Sequence, residues 1–153
     1  NTYSPGKSII RADFAILLVR AFKLTGQAEE NFVDTPEKAY YANELSVAKN
    51  NGIVTGIGDN KFNPTADISR EDMMVIAARA MEKAGIELPE ADESVLTDFA
   101  DAKDISGYAK DAVIALVGNA IVNGSGGRIN PKASATRAEV AVIIHRILSL
   151  NKD

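Results

Sequence analysis

Three arginines, Arg11, Arg70 and Arg137, occupy one position of a pattern that occurs three times. A guanidinium is a planar fork of donors that matches the two oxygens of a carboxylate or a phosphate edge. The copies read Tyr3-Ser-Pro-Gly-Lys-Ser-Ile-Ile-Arg11-Ala-Asp-Phe, Phe62-Asn-Pro-Thr-Ala-Asp-Ile-Ser-Arg70-Glu-Asp-Met and Ile129-Asn-Pro-Lys-Ala-Ser-Ala-Thr-Arg137-Ala-Glu-Val, aligned without a gap. Each arginine falls at the first position of an expected helix, where free amides and the helix macrodipole already favour an anion. A cation at that end opposes the dipole, so its recurrence in all three copies asks for a reason. One reading is three equivalent anion pockets. The other is three structural ion pairs, each arginine tied to an acid such as Asp34 or Asp101 of a neighbouring unit. The residues alone leave both open.

Other side chains offer less. Asp34 and Asp101 each close a Phe-x-Asp triplet and suit a helix cap or a pocket wall. Tyr40 and Tyr108 follow them and could stack on a sugar or pack half-buried with the hydroxyl in water. Gly56-Ile-Gly-Asp59 and Gly124-Ser-Gly126-Gly127 lack the alternating acids of a calcium loop and the lysine of a phosphate loop. Tight turns with positive φ account for these glycines, and their amides could line a pocket. Arg20, Arg79 and Arg146 recur nine residues after the motif arginines and are expected to be structural, bridging or solvated. His145 is the single histidine and there is no cysteine, which leaves no nucleophile triad. No pair of acids stands out for glycoside cleavage, so no enzyme, cofactor or metal site is expected.

The elements that must position these groups are legible from periodicity. After each arginine, offsets three, six, seven, ten and eleven are apolar: Phe14, Leu17, Leu18, Ala21 and Phe22 in the first copy. The second has Met73, Ile76, Ala77, Ala80 and Met81, and the third Val140, Ile143, Ile144, Ile147 and Leu148. Such a stripe marks a helix with one buried face. Three similar stripes most simply meet, giving three core helices with approximate threefold symmetry. Intervening helices near Tyr40 and Tyr108, with Leu45, Ala48, Val113 and Leu116 on one side, are expected outside them. Thr136-Arg-Ala-Glu139 is a capping box, and Ser69-Arg-Glu-Asp72 repeats it with a shorter acid. Ile10 lacks the capping hydroxyl, a loss of about 1 kcal/mol, so the first helix is expected to start less firmly.

One full unit is therefore Phe-x-Asp, helix, Gly turn, an extended piece ending in Asn-Pro, and the Arg helix. Repetition of this kind points to a modular array. Residues 1–31 supply only a second half, 32–88 and 99–153 form complete units, and 89–98 is a linker. Lys23–Asn31 and Glu82–Asp98 read as exposed connections. The 153 residues, 46% hydrophobic and 25% charged, carry a net charge of −4, which argues against a broad nucleic-acid surface. No apolar run approaches bilayer length. A chain starting at Asn1 is expected to be a fragment or a processed form.

The ordered set Phe-x-Asp, aromatic-opened helix, Gly52-Ile-Val-Thr-Gly56, Phe62-Asn-Pro and Thr136-Arg137-Ala138-Glu139 resembles the S-layer homology (SLH) domain over nearly the whole chain. The resemblance implies an all-α fold, a pseudo-threefold helical prism of tandem repeats. It implies a noncatalytic extracellular module that anchors surface proteins to a bacterial secondary cell-wall polysaccharide. In many members that ligand carries a pyruvate ketal on N-acetylmannosamine, whose carboxylate suits an arginine. Carried over by position, the binding residues are Arg11, Arg70, Arg137, Asp34, Asp101, Tyr40, Tyr108, Gly56 and Gly124. The family usually has tryptophan where Tyr40 and Tyr108 stand, which weakens stacking. Ile10 and Ser69 replace the motif threonine, Ala120 replaces a turn glycine, and the incomplete first repeat leaves an apolar edge. The alternative function is therefore a protein–protein or self-assembly module of a surface layer, associating through that edge.

Overall fold

The computed structural model describes residues 6–150. Tyr3, Ser4 and Pro5 of the first copy, and residues 151–153, lie outside the described residues. The described chain forms five α-helices: α1 (Arg11–Ala21), α2 (Ala42–Asn50), α3 (Arg70–Lys83), α4 (Lys110–Gly118) and α5 (Arg137–Ser149). Short 3-10 turns occupy Glu93–Leu96, Ala102–Asp104 and Gly107–Ala109. Among the described residues extended pairing is limited to isolated bridges, so the fold is all-α.

Each Arg helix starts at its arginine, as the capping pattern predicts. Thr136 accepts from the Glu139 amide and Glu139 returns to the Thr136 amide, closing the capping box of α5. Ser69 accepts from the Asp72 amide at the start of α3. Ile10 makes no side-chain cap, yet α1 begins in the same register. The reason lies in the neighbouring unit. The Arg11 and Ala12 amides donate to Ala66 O and Pro64 O, both at 2.9 Å. The Arg70 and Glu71 amides donate likewise to Ala133 O and Pro131 O, and the Arg137 amide to Lys7 O. First-turn amides are thus taken up by carbonyls of the extended segment that leads into a different Arg helix, and among the described residues no free cluster of them remains for an anion. These segments also join each other in a closed ring: Ile9 N–H to Ala135 O (3.1 Å), Ala135 N–H to Ile68 O (2.9 Å), Ile68 N–H to Ile9 O (3.0 Å).

Helices α1 to α4 all end alike. The residues at the first non-helical turn, Lys23, Gly52, Gly85 and Ala120, have positive φ, and paired amide bonds return to the last helical turn. Behind these ends, α2 packs on α1, α4 packs on α3, and α1 touches both α3 and α5. The predicted stripe of α3 is wholly buried, with Met74 and Val75 added to it. The stripe of α1 is not: Leu17 is exposed, and Ala12, Ala15, Ile16 and Val19 fill the core instead. In α5, Val140, Ile143 and Ile147 are buried, but Leu148 is exposed. Among the described residues α1 and α3 each pack against an inner and an outer helix while α5 packs on α1, which accounts for the exposure of Leu148 but not for that of Leu17. The connection after α3 begins later than expected because Glu82 is still helical, and it contains the Glu93–Leu96 turn, whose buried Leu96 docks on the core beside α4.

Candidate functional site

The three arginines are built into the joints between units. Arg11 is 7% exposed. Its Nε donates to Phe62 O at 2.8 Å, its guanidinium pairs with Asp72 at 2.8 Å, and its plane lies 4.5 Å from the Phe62 ring centroid. Arg70 repeats the geometry: Nε donates to Ile129 O at 2.8 Å, and the guanidinium pairs with Glu139. Burial pushes the Arg70 guanidinium below its free value, with Asp101 opposing that shift. Arg137 is more open, with Asp13 at 3.8 Å. Each arginine therefore reaches the acid two places after the arginine of the next Arg helix, in the order α1 to α3, α3 to α5, α5 to α1.

The expected partners Asp34 and Asp101 do not form these ion pairs. Asp34 accepts from the Phe62 and Asn63 amides, and Asp101 from the Ile129 and Asn130 amides at 2.8 Å each. The acid and the arginine grip the two ends of one residue: Asp34 holds Phe62 N–H while Arg11 holds Phe62 O. Neither acid caps the following helix; they staple the extended segment and fix Asn63 and Asn130 at positive φ. Burial pushes the Asp101 carboxyl up, but the two amides outweigh it, and the group titrates below the usual carboxylate range. The glycines answer two needs. Gly56 has φ +90 and a Cβ there would meet Lys61 O at 2.5 Å and the Phe32 ring at 2.9 Å. Gly124 has no positive φ; close approach of Arg128 O and the Phe99 ring, both at 2.5 Å from a Cβ, excludes a side chain.

Tyr40 and Tyr108 complete the joints. The Tyr40 hydroxyl donates to Asp13 at 2.6 Å and that of Tyr108 to Asp72 at 2.5 Å, while both rings stay about two-thirds exposed, 68% and 66%. The hydrogen bond to Asp13 raises the Tyr40 pKa to about 12, and burial together with Asp72 raises that of Tyr108 further. Arginine, acid and tyrosine thus come from three different units: Arg11, Asp72, Tyr108 in one groove and Arg137, Asp13, Tyr40 in another. Arg70 and Glu139 face the Gly124 turn, through Asn123 O at 3.4 Å, but no tyrosine of residues 6–150 completes that set. Among the described residues, the Arg11 groove alone unites arginine, acid, tyrosine and Gly turn. Its cavity of about 450 Å³ is lined by Arg11, Gly56, Phe62, Asp72, Arg79 and Tyr108, among others. A cavity of about 310 Å³ beside Arg137 includes neither Asp13 nor Tyr40, and its other lining residues are apolar: Ile9, Leu17, Ala141 and Ile144.

Four acids at the joints are not marked out as site residues by the sequence. Asp13, Asp72 and Glu139 recur two places after each arginine, and that signal was absorbed by capping. Glu71 has no counterpart, since Ala12 and Ala138 take its place in the other copies. It is 2% exposed and accepts from Ser106 N–H (2.9 Å), Ser106 Oγ (2.7 Å) and Lys132 Nζ (2.8 Å), with the Tyr108 hydroxyl 3.3 Å away. Burial pushes Glu71 up, and Lys132 and Ser106 more than reverse it, leaving the carboxyl below its ordinary range. Among the described residues no cluster of His, Cys, Asp or Glu could hold a metal, and no helix is long and apolar enough to cross a membrane.

The joints carry the motif residues of one family. The model of the S-layer homology domain matches residues 31–74 and 98–141, and the chain belongs to that family. Similar proteins include an amylopullulanase of Thermoanaerobacterium thermosulfurigenes, 35% identical over 95% of this chain and 8% of its own length. The surface-layer 125 kDa protein of Lysinibacillus sphaericus is 29% identical over 95% of this chain and 12% of its own. The S-layer protein EA1 of Bacillus anthracis is 29% identical over 94% and 16%. The chain therefore spans a small part of these relatives. Domains of this family are noncatalytic modules of cell-surface proteins that bind cell-wall polymers, and the chain's place is the extracellular cell wall or surface layer.

Proposed function

We propose that this chain anchors a larger surface protein by binding an anionic, pyruvylated secondary cell-wall polysaccharide in the grooves between its repeats. The observation that carries this reading is the Arg11 groove, where an arginine, a Gly turn and an exposed tyrosine from three units meet. The Tyr108 ring offers a flat apolar face to a sugar, and its hydroxyl is held by Asp72, so the face is oriented before ligand arrives. Gly56 lets the polymer approach the backbone. The pocket set is Arg11, Tyr108, Gly56 and, beneath them, Asp34; Arg137 and Tyr40, and Arg70, Asp101 and Gly124, form partial versions. The units are residues 1–31, 32–88 and 99–153, joined as a pseudo-threefold prism, a reading supported by the closed ring of Ile9, Ala135 and Ile68. Several weak grooves on one polymer raise avidity.

The experiment is sedimentation of the chain with purified Gram-positive sacculi, native and stripped of secondary polysaccharide by acid. Binding to native sacculi only is expected; equal binding to both, or to neither, contradicts the proposal. A second reading, self-association within a surface layer, is favoured by the exposed apolar side chains Val142 and Leu148 of α5 and Leu150 just beyond it. It requires molar mass that rises with concentration in light scattering.

A further inference from the structure

In the Arg11 groove the motif arginine is poorly placed to take a ligand carboxylate. Its fork holds Phe62 O and Asp72, its face lies on Phe62, and it is buried. With Nε on Phe62 O and Nη1 on Asp72, only Nη2 remains, and a two-pronged grip on a ligand would draw on a nitrogen already engaged and bring a second carboxylate beside Asp72. Like charges at that range repel.

One other cation lines the same cavity. Arg79 lies seven residues after Asp72, two helical turns further along the same face of α3, about 10 Å at 1.5 Å per residue. Asp72, Val75, Ile76 and Arg79 form that wall of the groove. Arg79 is half-buried, and among the described residues it joins no ion pair. Its hydrogen bond is to a neutral group, Thr55 Oγ1, at 3.3 Å. The matching arginines differ: Arg20 faces Glu44 at 3.3 Å, and Arg146 donates to Ile121 O at 3.0 Å. The cavity thus counts two arginines against one carboxylate, and the uncompensated charge sits on Arg79.

We propose that Arg79, not Arg11, takes the carboxylate of the wall polysaccharide in this groove, as a two-pronged guanidinium contact steadied by Thr55. The inference rests on the anchoring function proposed above. Arg11 then frames the site by holding Phe62 and Asp72, while Tyr108 covers the sugar at the other end of the wall. With Nη1 on Thr55, the Nε and Nη2 edge of Arg79 remains for the charge-assisted pair.

The test uses the whole chain with purified native sacculi and with sacculi whose carboxylates have been amidated by carbodiimide and methylamine. Wild type binds native walls better than amidated ones. Arg79→Gln lowers affinity for native walls about tenfold or more and loses the preference between the two; Arg79→Lys keeps part of it, and Arg20→Gln changes neither. Circular dichroism confirms that each variant folds. If wild type discriminates and Arg79→Gln discriminates equally, the assignment of Arg79 is wrong while the anchoring function stands. If Arg79→Gln weakens both wall forms by the same factor, Arg79 touches no carboxylate and the inference fails. If wild type does not bind native walls, the anchoring function fails and takes the inference with it.

Discussion

The same residue type does three jobs in this chain, and burial separates them. Arg11 and Arg70 are enclosed and paired, so they are structural whatever else they do. Removing one leaves a buried acid and a carbonyl without partners. Arg70→Ala is expected to lower unfolding free energy by about 3–5 kcal/mol, read by urea denaturation. Arg137→Ala, with its guanidinium partly in water and its acid at 3.8 Å, is expected to cost less than about 1 kcal/mol. Equal costs would contradict the division. Tyr108 and Tyr40 make the same test for binding: Tyr108→Ala should weaken wall binding several-fold, because its groove is complete, and Tyr40→Ala much less. Comparable losses in sedimentation would show that the Arg137 groove contributes equally. These distinctions were invisible in the sequence. Arg11, Arg70 and Arg137 look equivalent there, because equivalence of motif says nothing about what packs against each joint.

At the scale of elements, the repeats were legible because their signals are local. The Arg helices start where the capping pattern puts them, α2 and α4 lie just after Tyr40 and Tyr108, and the buried stripe of α3 matches the periodicity. What failed to show was contact between units. The start of α1 at Arg11 without a capping hydroxyl is supported by bonds to Ala66 and Pro64, far along the chain. The exposure of Leu17 depends on what packs beside it, which a helical stripe cannot specify. Ala120 carries a testable trace of local misfit. It closes α4 at φ 58, where Gly52 closes α2 at φ 73. A non-glycine residue in the left-handed region costs roughly 1–2 kcal/mol, partly offset by the entropy lost on fixing glycine. Ala120→Gly is expected to raise stability by up to about 1 kcal/mol, seen as a higher urea midpoint at unchanged slope; a lower midpoint would show that no strain is relieved.

For the whole molecule, the proposed binding grooves are built from the same joints that hold the units together, so acid should act on stability and binding together. Folded Glu71 and Asp101 titrate below the ordinary carboxylate range. Their contribution is complete above the unfolded value near 4 and is lost as pH falls through the lower folded values. Stability should therefore be flat from about pH 6 to 5 and fall only below about 4. Glu71→Gln should flatten that acid limb and loosen Tyr108, while an unchanged limb would remove Glu71 from the account. The central claim is that the Arg11 groove, the most complete of those proposed, receives the polymer. The direct measurement is an NMR titration of the isotope-labelled chain with polysaccharide released from purified sacculi. Shifts concentrated at Gly56, Ile57, Arg79 and Tyr108 are predicted. Shifts concentrated on α5 around Val142, or saturation without shifts in the Arg11 groove, would contradict it.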